Sequence, residues 1–114
     1  MEDCVFCKIV GGQIPARKVY EDDHVLAFDD IHHMAPVHVV VVPKRHISTL
    51  MDVTPDMAGT LERLVHGVQE AARAKGIDRR GFRTVVNCND EGGQVVFHLH
   101  LHVLGGQRLK DDLA

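Results

Sequence analysis

Residues 98–102 read HLHLH, and VLGG follows. Three of the chain's nine histidines therefore stand on every second residue. A period of two belongs to a β-strand, where successive side chains point to opposite faces. His98, His100 and His102 then share one face, while Leu99, Leu101 and Val103 share the other, which reads as core. In a helix the same imidazoles would fan over roughly 200° of arc and serve no common point. A row of imidazoles faces something polar, and three readings fit it. The histidines can sit half exposed in water with no further role. They can hold a metal, since His-x-His on a strand chelates well. They can also catalyse at phosphorus, because neutral imidazole is a nucleophile near pH 7, its unperturbed pKa being about 6.5. The GGQ that ends at Gln94 favours a nearby anion. Glycines such as Gly93 let backbone N–H groups approach closely, and Gln94 adds a donor. Separately, Cys4 and Cys7 form a Cys-x2-Cys pair. That spacing suits zinc or redox chemistry, although a closed zinc site takes four ligands. Two reduced, buried thiols are the plain alternative. Cys88 reads as an ordinary strand residue.

These groups need elements to hold them. DCVFCKIVGG suggests a short helix capped by Asp3 and ended by Gly11. RKVYEDD and VLAFDD suggest two strands around a turn near Asp22, Asp23 and His24. VHVVVVP is the strongest buried-strand pattern and stops at Pro43. Residues 53–76 form the clearest helix pattern, with Thr54 as N-cap, Pro55 and Asp56 in the first turn and Gly76 at the end. Met57, Leu61, Leu64, Val65, Val68, Ala71 and Ala72 recur at helical spacing as one apolar stripe. GFRTVVNCN reads as a fourth strand, NDEGGQ as a turn, and the histidine segment as the last strand. Helix, three strands, long helix, two strands predicts an α+β protein with a mainly antiparallel five-stranded sheet.

The 114 residues fit one domain with a single core. A net charge of −3 and pI near 6.3 give no support for nucleic acid or acidic membranes as partners. No apolar run approaches a membrane span and the N-terminus is not a signal peptide, so the expected location is cytoplasmic. Three cysteines, an odd number, argue against a disulfide framework.

HLHLHVL resembles the signature of the histidine triad (HIT) family. CVFCKIVGGQIPARKVYEDD, LAFDDI, VVPKRHIS, VVN and GGQVVFHLHLHVLGG are similar in order and spacing to its Hint-like branch. The likeness runs from Cys4 to about Gly106 and leaves a short tail over 107–114. It implies a single HIT domain, usually a homodimer, that hydrolyses purine nucleoside phosphoramidates: a nucleoside monophosphate joined to an amine. The resemblance makes His100 the nucleophile that forms a nucleotidyl-histidine, His102 a phosphate contact and His98 a support. It assigns the ribose to Asp30, phosphate contacts to Asn87, Gly93 and Gln94, and the base pocket to Phe6, Ile9, Phe28 and Ile31. The resemblance also places Val95 beside the phosphate, at a position where many relatives carry serine. Zinc-bearing relatives imply a structural zinc held by Cys4, Cys7, His46 and His98. A dinucleoside polyphosphate hydrolase and a nucleotide-binding interaction protein with little turnover are the alternatives. A metal carrier built on the triad is a more distant one.

Overall fold

A computed structural model describes residues 3–111; of the tail expected over 107–114, residues 112–114 lie outside them. The elements are α1 (Val5–Val10), β1 (Lys18–Glu21), β2 (Val25–Asp29), β3 (Val37–Pro43), a 3-10 turn (Leu50–Asp52), α2 (Thr60–Ala74), β4 (Arg83–Val85) and β5 (Leu101–Gly105). The five strands form one sheet in the order β1-β2-β3-β5-β4, with every pairing antiparallel.

The sheet is covered on both faces. Val25, Ala27, Val39, Val41, Leu99 and Val103 pack with Leu64, Val68, Ala71 and Ala72 of α2. The opposite face carries Leu26, Phe28, Val40 and Val42, against which Ile9 and Phe6 of α1 pack. β2 and β3 are therefore apolar at consecutive positions, as strands covered on both faces must be. Gly67 shows how closely α2 lies on the sheet. A Cβ there would meet Val41 Cγ1 at 2.9 Å and Val25 Cγ2 at 3.1 Å. The close approach offsets the roughly 1 kcal/mol that glycine costs a helix interior relative to alanine.

Several elements are shorter than their sequence patterns. The long helix begins at Thr60, not near residue 54, because Gly59 adopts a left-handed backbone, φ 87°, that breaks the helical path. Thr54 opens a turn instead: its carbonyl accepts from Met57 N at 2.9 Å. The stripe also divides. Leu64, Val68, Ala71 and Ala72 are buried, whereas Leu61 and Val65 are about half exposed at 47% and 50%. At α1 the cap is Cys4 and not Asp3; the Cys4 thiol accepts from Cys7 N at 3.2 Å. Gly11 does end this helix.

The last two strands are shortened together. β4 pairs with β5 only over Arg83↔Leu104, Thr84↔Val103 and Val85↔His102. Before Leu101 the chain turns away to bond elsewhere: Leu99 N donates to Ile47 O at 2.6 Å. β4 has no partner beyond Val85 for that reason, and the expected strand over GFRTVVNCN is cut to three residues. His98 and His100 precede the ladder, and only His102 lies within it.

Candidate active site and metal cluster

The alternation of burial survives where the ladder does not. Leu99 and Val103 are buried against α2, and the three histidines lie on the other side. They do not form one row, however. His98 is fully buried beside the cysteines, whereas His100 and His102 line a cleft of about 600 Å³. Phe6, Asp30, Asn87, Gly93 and Val95 line the same cleft.

His38, which sequence reasoning did not single out, also lines this cleft. It lies on β3, where Val40 pairs with His102 and His38 pairs with Leu104. Diagonal neighbours on one face of an antiparallel pair are within reach of long side chains. His38 Nε2 sits 2.9 Å from His102 Nδ1 and 3.5 Å from Asp30 Oδ2. The signal was a single polar residue in VHVVVVP, in phase with Val40 and Val42 on the face that α2 does not cover. His32, Met34, Val40, Val85, Val96 and Leu104 complete the lining.

Hydrogen bonds fix the proton on each imidazole. A carbonyl only accepts, so His100 Nδ1–H donates to His98 O at 2.7 Å and Nε2 carries the lone pair. His98 Nε2–H donates to Pro43 O at 2.8 Å, which leaves Nδ1 bare toward the cysteines. Met34 N–H donates to His38 Nδ1 at 3.1 Å, so neutral His38 carries its proton on Nε2. That proton is donated to His102 Nδ1, and His102 keeps a free Nε2–H donor. One cleft thus presents an imidazole lone pair at His100 and an imidazole N–H at His102.

Burial holds these rings neutral. It is the largest cause of the lowered pKa at His38, His98, His100 and His102, and nearby imidazoles add repulsion at His102, whose pKa falls to about 4. Phe6 covers the His100 ring, meeting it edge-on with centroids 5.1 Å apart.

The remaining expected contacts are distributed unevenly. Phe28 stands behind Phe6, their rings 5.5 Å apart, and Ile9 shares that apolar cluster; neither lines the cleft. Ile31 is 88% exposed and points away from the core. Asp30 Oδ1 accepts from His32 N at 2.8 Å and leaves Oδ2 toward His38 and the cleft. Gln94 is buried and its amide is already used. It accepts from Asn89 N at 2.9 Å and donates to Ser48 O at 2.8 Å and Val96 O at 3.0 Å. It holds the loop that carries Gly93 and Val95, so no free side-chain donor is left for an anion. Asn87 Nδ2 likewise donates to Gly92 O at 2.7 Å. This loop is tight: a Cβ on Gly92 would overlap the Cys88 backbone, and Gly93 has φ 79°.

Cys4, Cys7, His46 and His98 form a second cluster, with ligand atoms all within 4.8 Å of one another. Cys4 Sγ and Cys7 Sγ lie 3.3 and 3.5 Å from His98 Nδ1, and Cys7 Sγ lies 3.3 Å from His46 Nδ1. A tetrahedral zinc, with sulfur at about 2.3 Å and nitrogen at about 2.0–2.1 Å, spaces its ligands by roughly 3.5 Å. The donor set fits such an ion, and the second nitrogen of each ring is held, by Pro43 O and by Ser48 Oγ. A further trio, Asp30, His38 and His102, is equally close. It suits a cation poorly, because the Met34 hydrogen bond keeps a proton on the His38 nitrogen that would have to ligate.

Comparison with known proteins follows the same lines. The HIT domain model matches residues 11–109. HitA of Neisseria gonorrhoeae is 42% identical over 105 residues, covering 92% of this chain and 97% of that protein. The purine nucleoside phosphoramidase of Escherichia coli (strain K12) is 40% identical over 113 residues, covering 99% of this chain and 95% of that one. A histidine triad protein from Clostridium difficile superposes with TM-score 0.95 at 44% identity, over 99% of this chain and 98% of the other. A HIT family hydrolase from Legionella pneumophila Philadelphia 1 gives 0.91 at 44% identity, over 96% and 97%. With the family match spanning most of the chain and the imidazole geometry in place, the chain belongs to the histidine triad (HIT) family.

Proposed function

We propose that this protein is a nucleotide hydrolase that cleaves purine nucleoside phosphoramidates through a nucleotidyl-His100 intermediate. The observation that carries the reading is the His100 tautomer: Nδ1–H tied to the His98 carbonyl, Nε2 bare in the cleft. The relative whose name states this activity supports the substrate class. The base lies against Phe6, the ribose hydroxyls donate to Asp30 and the phosphate meets the His102 Nε2–H. His100 Nε2 attacks phosphorus, the P–Nε2 bond forms and the P–N bond to the amine breaks. The bonding pair leaves with the amine nitrogen, which takes a proton from solvent at the open rim. Water then attacks phosphorus and the P–Nε2 pair returns to His100. The water's proton passes to solvent and the nucleoside monophosphate departs. The His102 Nε2–H balances the charge that develops on the phosphoryl oxygens, since Gly93 N and Gln94 N already donate to Asp90 O and Asn89 O at 3.0 Å each.

The four-ligand cluster holds a structural zinc in this reading. The metal would tie α1 to the catalytic segment and fix the His98 carbonyl that orients His100. The β4 edge and the exposed Leu61 and Val65 on α2 supply the contacts of a homodimer.

Adenosine phosphoramidate and a diadenosine polyphosphate offered side by side test the reading, with rapid quenching in mild base to preserve an N-linked phosphoryl group. The expected result is faster turnover of the phosphoramidate and a nucleoside monophosphate mass on the peptide carrying His100. Preference for the polyphosphate would favour a P–O hydrolase. Binding of nucleotide without turnover of either would make the protein a binding module.

A further inference from the structure

Positive charge gathers at one end of the sheet, although the chain as a whole carries −3. Arg79, Arg80, Arg83, Arg108 and Lys110 are five of its 13 basic residues, and all fall in two short segments, 79–83 and 108–110. The topology brings these segments together. β4 and β5 are antiparallel with Arg83 opposite Leu104, so the start of β4 lies beside the end of β5. Gly106, at φ 91°, turns the chain there. Arg83 Nη2–H holds the segment that follows by donating to Lys110 O at 2.9 Å.

A cavity of about 480 Å³ lies here, with Arg80, Phe82, Arg83, Gln107, Arg108 and Asp111 in its walls. It shares no lining residue with the reaction cleft, whose own lining has no Lys or Arg. The cavity walls carry three guanidiniums and one carboxylate. Among the described residues none of the three arginines forms an ion pair. Like charges held together repel, and a bound anion relieves that repulsion. The planar fork of arginine matches phosphate oxygens two at a time, and Arg83 is already braced by Lys110 O. A single phosphate monoester carries about two negative charges, so three guanidiniums accommodate a second phosphate. Phe82 adds a different surface. It is 39% exposed and belongs to neither apolar cluster. A part-open ring beside arginines suits a planar base. The volume falls within the roughly 300–1,000 Å³ common to small-molecule sites.

We propose that this cavity is a second nucleotide site. It takes a nucleoside diphosphate or triphosphate, with the phosphates on Arg80, Arg83 and Arg108 and the base against Phe82. Its described lining holds no histidine, cysteine or serine, so the site binds its ligand without chemistry. The inference stands apart from the phosphoramidate reading and survives either outcome of the turnover test.

ADP titrated by calorimetry into wild type, Arg80→Gln/Arg108→Gln and Asp30→Asn tests this. Arg83 is left intact because it braces β4 against the segment after β5. Wild type should bind ADP both in the cleft and in the arginine cavity. The double variant should lose affinity by about tenfold or more at one of these sites, and Asp30→Asn should weaken only the other. Phe82→Leu should weaken ADP at the arginine site by about threefold and leave pyrophosphate binding there unchanged. A single ADP site, weakened by Asp30→Asn and unmoved in the double variant, would overturn the proposal. Pyrophosphate binding as tightly as ADP, with no effect of Phe82→Leu on either, would make the cavity a site for inorganic anions and also overturn it. An ADP titration unmoved in the double variant, together with a halved mass by light scattering, would make the arginines a contact between copies of the chain, which equally ends the proposal.

Discussion

At His38 one backbone N–H decides the state of two rings. Met34 N donates to His38 Nδ1, His38 therefore donates to His102, and His102 is left as a donor facing the cleft. His38 acts through His102, so it is a positioning residue. His38→Asn keeps a polar group in place but loses the geometry that holds the His102 tautomer. We expect kcat to fall by about 10²-fold, within the usual range for acid–base groups, with nucleoside monophosphate affinity changed far less. Equal losses in kcat and affinity would make His38 merely part of the binding wall. Asp30→Asn should behave in the opposite way. It keeps the shape but loses the charge that strengthens hydroxyl hydrogen bonds, so nucleotide binding should weaken by about 1–3 kcal/mol as measured by calorimetry. Unchanged affinity would put the ribose elsewhere.

At the scale of elements, α1 is the informative case. Six residues are too few to hold a helix alone, and Cys4 and Cys7 attach this one to the segments bearing His46 and His98. Protein purified without added metal should carry about one zinc per chain by elemental analysis. Cys4→Ser should lose the ion and melt at lower temperature. Metal-free wild type whose melting is unmoved by zinc would end the idea. The two cysteines were legible in the sequence as a motif, and so was the periodicity of the histidine segment. Its division was not. The period of two correctly separated the imidazoles from the leucines, but it could not reveal that His98 turns toward the cysteines while His100 and His102 face the cleft. That division follows from Leu99 bonding Ile47, a contact made by a loop far along the chain. Gln94 was misread for a related reason. A glutamine after two glycines reads as a free donor until Ser48, Asn89 and Val96 are seen to occupy it. The start of α2 was misplaced because Thr54, Pro55 and Asp56 are sound helix-start residues, overruled by the left-handed Gly59. His38 was missed because one histidine among valines carries no period of its own.

Across the whole molecule, the same burial that keeps the cleft imidazoles neutral bears on the response to acid. His38 and His102 face each other, with His100 beside His102 and Asp30 the carboxylate nearest to both. Burial lowers the pKa of both rings, and that of His102 falls to about 4 in spite of Asp30. In the unfolded chain each returns to about 6.5. Between pH 6.5 and 4 the unfolded chain therefore binds more protons than the folded one, so stability falls as pH falls through this window. Glu21 carries a lowered pKa through hydrogen bonds from Lys44 and Lys18, and Asp22 one in which burial, which raises it, is outweighed by hydrogen bonds from His24, Tyr20 and Val25. Their contribution is present above the usual carboxylate range and is lost only as pH falls below it, so it comes later. Melting temperature should accordingly drop by about 5 °C or more between pH 7 and pH 5, before the carboxylates titrate. His102→Gln removes the more strongly shifted ring and keeps a polar side chain. Its melting curve should flatten across pH 5–7 relative to wild type, even if the variant is less stable at pH 7. Acid-induced loss of metal from the cysteine cluster would be common to both proteins, so the difference in slope isolates the ring. A wild-type loss confined to below pH 4, with the same slope in His102→Gln, would mean that the carboxylates govern acid stability and that the buried imidazoles do not.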